Sequence, residues 1–183
     1  MKFNDIVLPL MQNFQEVSLS EEEMTQIESF ADEVIKAKKS EYHHQIDGHN
    51  EKKRFVTGLC GEMALSKVLG FDIIDWNIGN SKKFHHPDIP GYNVGVKTVE
   101  WGKFPIVFKN SHYPEIICIR GVKNPNKVLI CGIATPDMIK EHQSDDLILS
   151  PSLRARGTKT GFYGFNALWD LSKLKHFKKK KAS

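Results

Sequence analysis

Between Ser18 and Lys39 the apolar residues Met24, Ile27, Phe30, Ala31, Val34 and Ile35 recur every three or four positions. That spacing predicts a helix with one narrow buried stripe. Ser20 with Glu23 three residues later makes a capping box, Glu21 and Glu22 suit the positive helix end, and lysines gather near the other end. A second helix is predicted over Glu51 to Leu69, closed by Gly70. Its apolar residues, among them Phe55, Leu59, Met63 and Val68, wrap most of the circumference, the mark of a buried helix. Glu62 projects within about 20° of Phe55 and Leu69 at ~100° per residue, so it is an acid without a simple polar face. Glu41 to Asn50, rich in His, reads as a loop.

The pattern then changes period. Phe71 to Trp76, Tyr92 to Trp101, Ile106 to Phe108, Glu115 to Arg120 and Lys127 to Ala134 are short β-like runs bounded by Gly, Pro or Asn. Pro90-Gly91 marks a turn. Thr135-Pro136-Asp137 opens a short helix to about His142, with Thr135 as N-cap and proline at the first helical position. Ser150 to Gly164 reads as loop, Trp169 to Phe177 as a last helix, and Lys178 to Lys181 as a charged tail. Helix, helix, several strands, helix is the order of an α/β or α+β domain on one central mixed β-sheet flanked by helices. The organisation expected is a single domain over 1–183, with a core at about 51–140, an N-terminal helical extension at about 1–50 and a basic C-terminal segment at about 150–183.

A chain of 183 residues can bury a full core without disulfides or structural metals. The net charge of +4 permits a phosphate-rich partner without demanding one. Cys60, Cys118 and Cys131 form no CxxC pair and sit in apolar runs, which argues against a zinc site and for free thiols in a reducing compartment. The first ten residues contain Asp5 and Pro9 and too short an apolar stretch for a signal peptide, and no run approaches a membrane span. A cytoplasmic protein with no membrane partner is the expectation.

The candidate chemistry lies at His86-Pro87-Asp88, followed nine residues after the aspartate by Lys97 in Val94-Gly95-Val96-Lys97-Thr98. A carboxylate at a strand end and a lysine on the next strand suit a divalent cation and a water beside a phosphate. Upstream stands Gly58-Leu59-Cys60-Gly61-Glu62, where the small glycines let a helix approach a sheet. Plainer roles exist for each residue. Asp88 also fits a turn aspartate, Lys97 a solvated strand lysine, and Glu62 one half of a salt bridge to Lys53 or Arg54. His85 and His86 fit exposed loop positions as well as phosphate contacts, and His43, His44 and His49 lack zinc spacing.

In order, Gly61-Glu62 in a buried helix, Pro87-Asp88, a tight turn and Val96-Lys97 on a strand resemble the PD-(D/E)XK, or restriction-endonuclease-like, nuclease superfamily. The resemblance covers about Glu51 to Ile139. It implies a restriction-endonuclease-like core and a metal-dependent endonuclease acting on DNA with Mg2+ or Mn2+. It further implies Asp88, Glu62 and the backbone carbonyl of Val96 as metal ligands, and Glu62, Asp88 and Lys97 as the catalytic set, with Lys97 positioning water. Many members act as dimers to cut both strands, so a homodimer is an expected partner state, although no interface is legible. The departure is Gly95, where the pattern expects an acid. Glu62 and Glu100 are the candidates to replace it, although strand alternation puts Glu100 on the wrong face. The alternative is a catalytically degenerate nuclease-fold protein that binds nucleic acid or a protein partner without cutting.

Arg154, Arg156 and Lys159, interleaved with small hydroxyls and followed by Phe162, Tyr163 and Phe165, suit a loop that grips a nucleic-acid backbone. With His86 they are the expected nucleic-acid contacts; an ordinary polar connection with core-packed aromatics is the plainer reading.

Overall fold

Ser20 and Glu23 form the expected reciprocal box: the Ser20 N–H donates to Glu23 Oε2 at 2.7 Å and the Glu23 N–H to Ser20 Oγ at 3.1 Å. These bonds satisfy two of the orphan donors that open a helix. The computed structural model describes residues 1–38, 48–78 and 88–180. Helix α1 (Phe3–Val7) and a short 3-10 turn lead into β1 (Gln15–Ser18), followed by α2 (Glu21–Lys38) and α3 (Gly48–Leu69). Helix α3 starts three residues before the sequence reading placed it and ends at Gly70, whose φ of +78° is the left-handed conformation that favours glycine. Strands β2 (Gly95–Glu100), β3 (Ile106–Phe108), β4 (Glu115–Arg120) and β5 (Lys127–Ala134) come next. Then follow α4 (Pro136–Glu141), β6 (Gln143–Ser144), α5 (Pro151–Ala155), β7 (Lys159–Phe162) and a closing 3-10 turn over Leu171–Phe177.

Strands β1, β5, β4 and β2 lie side by side in that order. The β1–β5 and β5–β4 pairs are antiparallel and β4–β2 is parallel, so the sheet is mixed and the fold α+β. A smaller antiparallel sheet is ordered β3, β7, β6. Strand β4 is buried along its whole length because both faces are covered. Ile116 and Cys118 face a core with Leu59, Met63 and Ala64 of α3 and Ile27 of α2, while Ile117 and Ile119 face a second core with Phe3, Val107, Phe162 and Phe165. Each of these fully buried isoleucines contributes about 1.5–3 kcal/mol through burial. Among the described residues no helix is long and apolar enough to cross a membrane.

Three stretches differ from the sequence reading. Residues 71–76 are not a strand. The Asp72 carboxylate accepts the Ile74 N–H and the Trp76 indole N–H, both at 3.0 Å, and Ser66 Oγ accepts the Ile73 N–H. Local side chains thus take donors that a ladder would have used. Residues 150–164 are not a loop throughout: Ser150 caps α5, with proline in its first turn, and β7 follows, burying Thr160, Gly161 and Phe162. The last predicted helix forms as a 3-10 turn whose cap is Asp170, accepting the Ser172 N–H at 2.8 Å. The His-rich loop from Glu41 to Asp47, with His43 and His44, and the segment with His85, His86 and Pro87 lie outside the described residues.

Candidate functional site at the free edge of the mixed sheet

Strand β2 is the outer strand of its sheet. Pro90-Gly91 turns the chain so that Asp88 and Ile89 return along that edge, with the Ile89 N–H donating to Val94 O at 3.3 Å. The Gly95 N–H points to β4, donating to Pro114 O at 2.9 Å. Strand alternation therefore turns the N–H and C=O of Val96 to the free edge. There the Val96 N–H donates to Asp88 Oδ2 at 2.6 Å, pinning the carboxylate to the strand that carries Lys97. The expected union of Asp88 with the Val96-Lys97 strand is present.

Helix α3 packs on the opposite side of β2 from Lys97. A β-carbon at Gly61 would fall within 2.9 Å of Thr98 Cβ, so only glycine lets the helix sit this close. The next residue, Glu62, is carried to the sheet by that contact. Neither Lys53 nor Arg54 neutralises it: the Lys53 amine is 3.0 Å from Glu100, and no described cation forms an ion pair with Glu62. Glu100 is held by Lys53 and by Lys103, the latter at 2.8 Å, so it is occupied and distant from Asp88 along the strand.

The sequence reading missed one residue of this site, Glu115. The parallel register sets Gly95 opposite Glu115 and Lys97 opposite Ile117, all on one face. A β-carbon on Gly95 would lie 2.9 Å from the Glu115 carboxyl carbon and 3.0 Å from Tyr113 Cε2. The Glu115 carboxyl therefore fills the space beside Gly95. Glu115 is 9% exposed, and its carboxyl has no hydrogen-bond or ion-pair partner among the described residues. An acid opening an otherwise apolar strand was the available signal, but nothing in the sequence states which strand lies beside Gly95.

The electrostatics mark this edge. Burial, then the charges of Asp88 and Asp72, push the Glu62 carboxyl up to about 8. Burial also lifts Glu115 to about 7; Lys97 pulls it down and Asp88 pushes it up. Asp88 is exposed at the surface, yet the protein packed around it raises its carboxyl despite the Val96 N–H and the Lys97 charge. Tyr113 is raised by burial and by Glu115 and Asp88. Thus Glu62 reaches the edge from the α3 face, Glu115 and Lys97 from the other, and Asp88 is coupled to all three. Unpaired carboxylates in a low-dielectric setting favour whatever cation reaches them.

The basic residues divide. Arg154 uses its guanidinium on the carbonyls of Asp146, at 3.3 Å, and Ile148, at 2.8 Å, holding the turn before α5. Lys159 lies on β7 opposite Phe108, with its amine 4.9 Å from that exposed ring. Burial, then the charges of Lys97 and Arg156, lower the Lys159 amine. Lys97 and Arg156 are therefore both near enough for their charges to act on Lys159. His86 lies outside the described residues.

Among the described residues no three His, Cys, Asp or Glu side chains are gathered closely enough to hold an ion alone. Magnesium does not need three: one or two carboxylates suffice when waters and substrate oxygens complete the shell. Asp88, the glutamates on which its charge acts and the edge-facing Val96 carbonyl are the oxygen donors along this edge. No protein-family model, curated protein or solved structure matches this chain.

Proposed function

We propose that this protein is a divalent-metal-dependent endonuclease of the PD-(D/E)XK type that hydrolyses DNA phosphodiester bonds. The observation that carries the reading is the line of three acids along the outer edge of β2, exposed Asp88, half-buried Glu62 and buried Glu115, with Asp88 pinned to the Val96 N–H and Lys97 acting on Asp88 and Glu115. Asp88 and the Val96 carbonyl would hold magnesium or manganese. Once bound, the ion would supply Lewis acidity and an acidified water. Lys97 would orient the attacking water and offset charge developing on the phosphate. Glu62 supports Asp88 from the α3 side, and Lys159 with Arg156 would hold the backbone phosphates next to the scissile one.

The test is cleavage of supercoiled plasmid and of linear duplex with and without magnesium. The parent protein should cut only with the metal, and Asp88→Ala and Lys97→Ala should cut at least a hundredfold more slowly. Cutting by both variants at the parent rate would refute the assignment. A parent that binds DNA without cutting it at any metal concentration would favour the degenerate, binding-only reading.

A further inference from the structure

Resting on the nuclease reading, we infer that the second metal-binding carboxylate has moved between strands: Glu115 of β4 does the work of the acid that Gly95 of β2 lacks, and Gly95 is glycine to leave it room. Three geometric facts carry this. First, Gly95 and Glu115 are register partners in the parallel β2–β4 pair, so their side chains leave the sheet on the same face and at the same level. Second, the Glu115 carboxyl lies in the space that a side chain on Gly95 would enter, with its carboxyl carbon 2.9 Å from the β-carbon position. A side chain two residues before Lys97 would therefore displace the Glu115 carboxyl from the place it holds. Third, Glu115 is over nine-tenths buried, lacks a partner among the described residues, and shares its face with Lys97. Burying such a group as a bare anion is costly, so it is held by a proton or by a cation.

Glu62 and Glu100 fit the position less well. Glu100 is neutralised by two lysines, and Glu62 approaches from the face opposite Lys97. The ligand class is a hard divalent cation, because two carboxylates and a carbonyl offer oxygen donors only.

The experiment is manganese binding to the full-length protein by calorimetry without DNA, alongside plasmid cleavage. Glu115→Gln keeps shape and removes charge; it should weaken manganese at least tenfold and reduce cleavage at least a hundredfold. Gly95→Asp with Glu115→Gly moves the acid back to β2 and should regain most of the affinity. Gly95→Asp alone, with both groups competing for one space, should lower thermal stability more than the paired exchange does. Parent-like manganese affinity in Glu115→Gln, together with its loss in Asp88→Ala, would overturn the role of Glu115 and leave the nuclease reading standing. No manganese binding by the parent would remove both. If Glu115→Gln fails to fold, the paired exchange decides: a folded exchange protein that binds no manganese overturns the inference.

Discussion

The two ends of strand β2 carry opposite electrostatic designs. At its C-terminal end Glu100 lies within 3.0 Å of two lysine amines, and although burial acts to raise it, those bonds hold its carboxyl below the usual range. At its N-terminal end the charge of Asp88 acts on Glu62 from one side and on Glu115 from the other, Lys97 is the cation acting on Asp88 and Glu115, and loss of hydration raises all three acids. The first end is complete as folded. The second leaves its glutamates without an ion-pair partner among the described residues, and under the proposed function an added cation would complete it.

The largest expected effect breaks the N-terminal end. Lys97→Met should slow plasmid cleavage by about 10²–10³-fold, since one positioned donor is worth that much, while DNA affinity measured by fluorescence anisotropy stays within a few-fold. Next comes the proton account of metal binding. Glu62 titrates at about 8 and Glu115 at about 7, so cation binding near neutral pH must displace protons. Manganese affinity should climb between pH 6 and pH 8, and calorimetry in buffers of different ionisation heat should show proton release; affinity flat across that range would contradict the cluster.

The same shifts have a consequence for stability. Both glutamates keep their protons to higher pH in the fold than their ordinary value of 4.5, so folding takes up protons. Stability should fall as pH rises from about 4.5 to about 8 and then level off, and magnesium should restore it. Glu62→Gln should remove part of that fall, raising stability at pH 9 on the order of 1–3 kcal/mol in urea titrations. Smaller still, Arg156→Ala and Lys159→Ala should each reduce the slope of log affinity against log salt by about 1. The smallest effect belongs to the paired end: Glu100→Gln should cost under about 1 kcal/mol and leave cleavage unchanged.

Much of the framework was legible because local chemistry writes it. The bounds of β3, β4 and β5 coincide with apolar runs between turn residues, and the Ser20–Glu23 box and the Thr135 cap are contiguous signals. Residues 71–76 deceived because Asp72 offers a local acceptor that outcompetes a partner strand. Strand β7 was hidden by the polar Arg156-Gly157-Thr158 run that leads into it, although Thr160 and Phe162 within the strand are buried. Within the site, Asp88 and Lys97 are close in sequence and were found together, and Gly95 was recognised as a gap. The residue that fills the gap comes from a strand that follows a crossover connection, and no local pattern names a register partner. Gly61 illustrates the same limit: its spacing in the helix was visible, its closeness to Thr98 was not.

The parallel pairing of β2 with β4 also sets when this edge becomes able to take up an ion. Asp88 and Lys97 are neighbours in any loosely collapsed chain, but Glu115 joins them only after residues 101–114 have crossed over and β4 has docked in its final alignment. A slip of one residue would turn that carboxyl to the α3 side. If the proposed ion binds there, its acquisition during refolding would time the arrival of the last long-range strand contact.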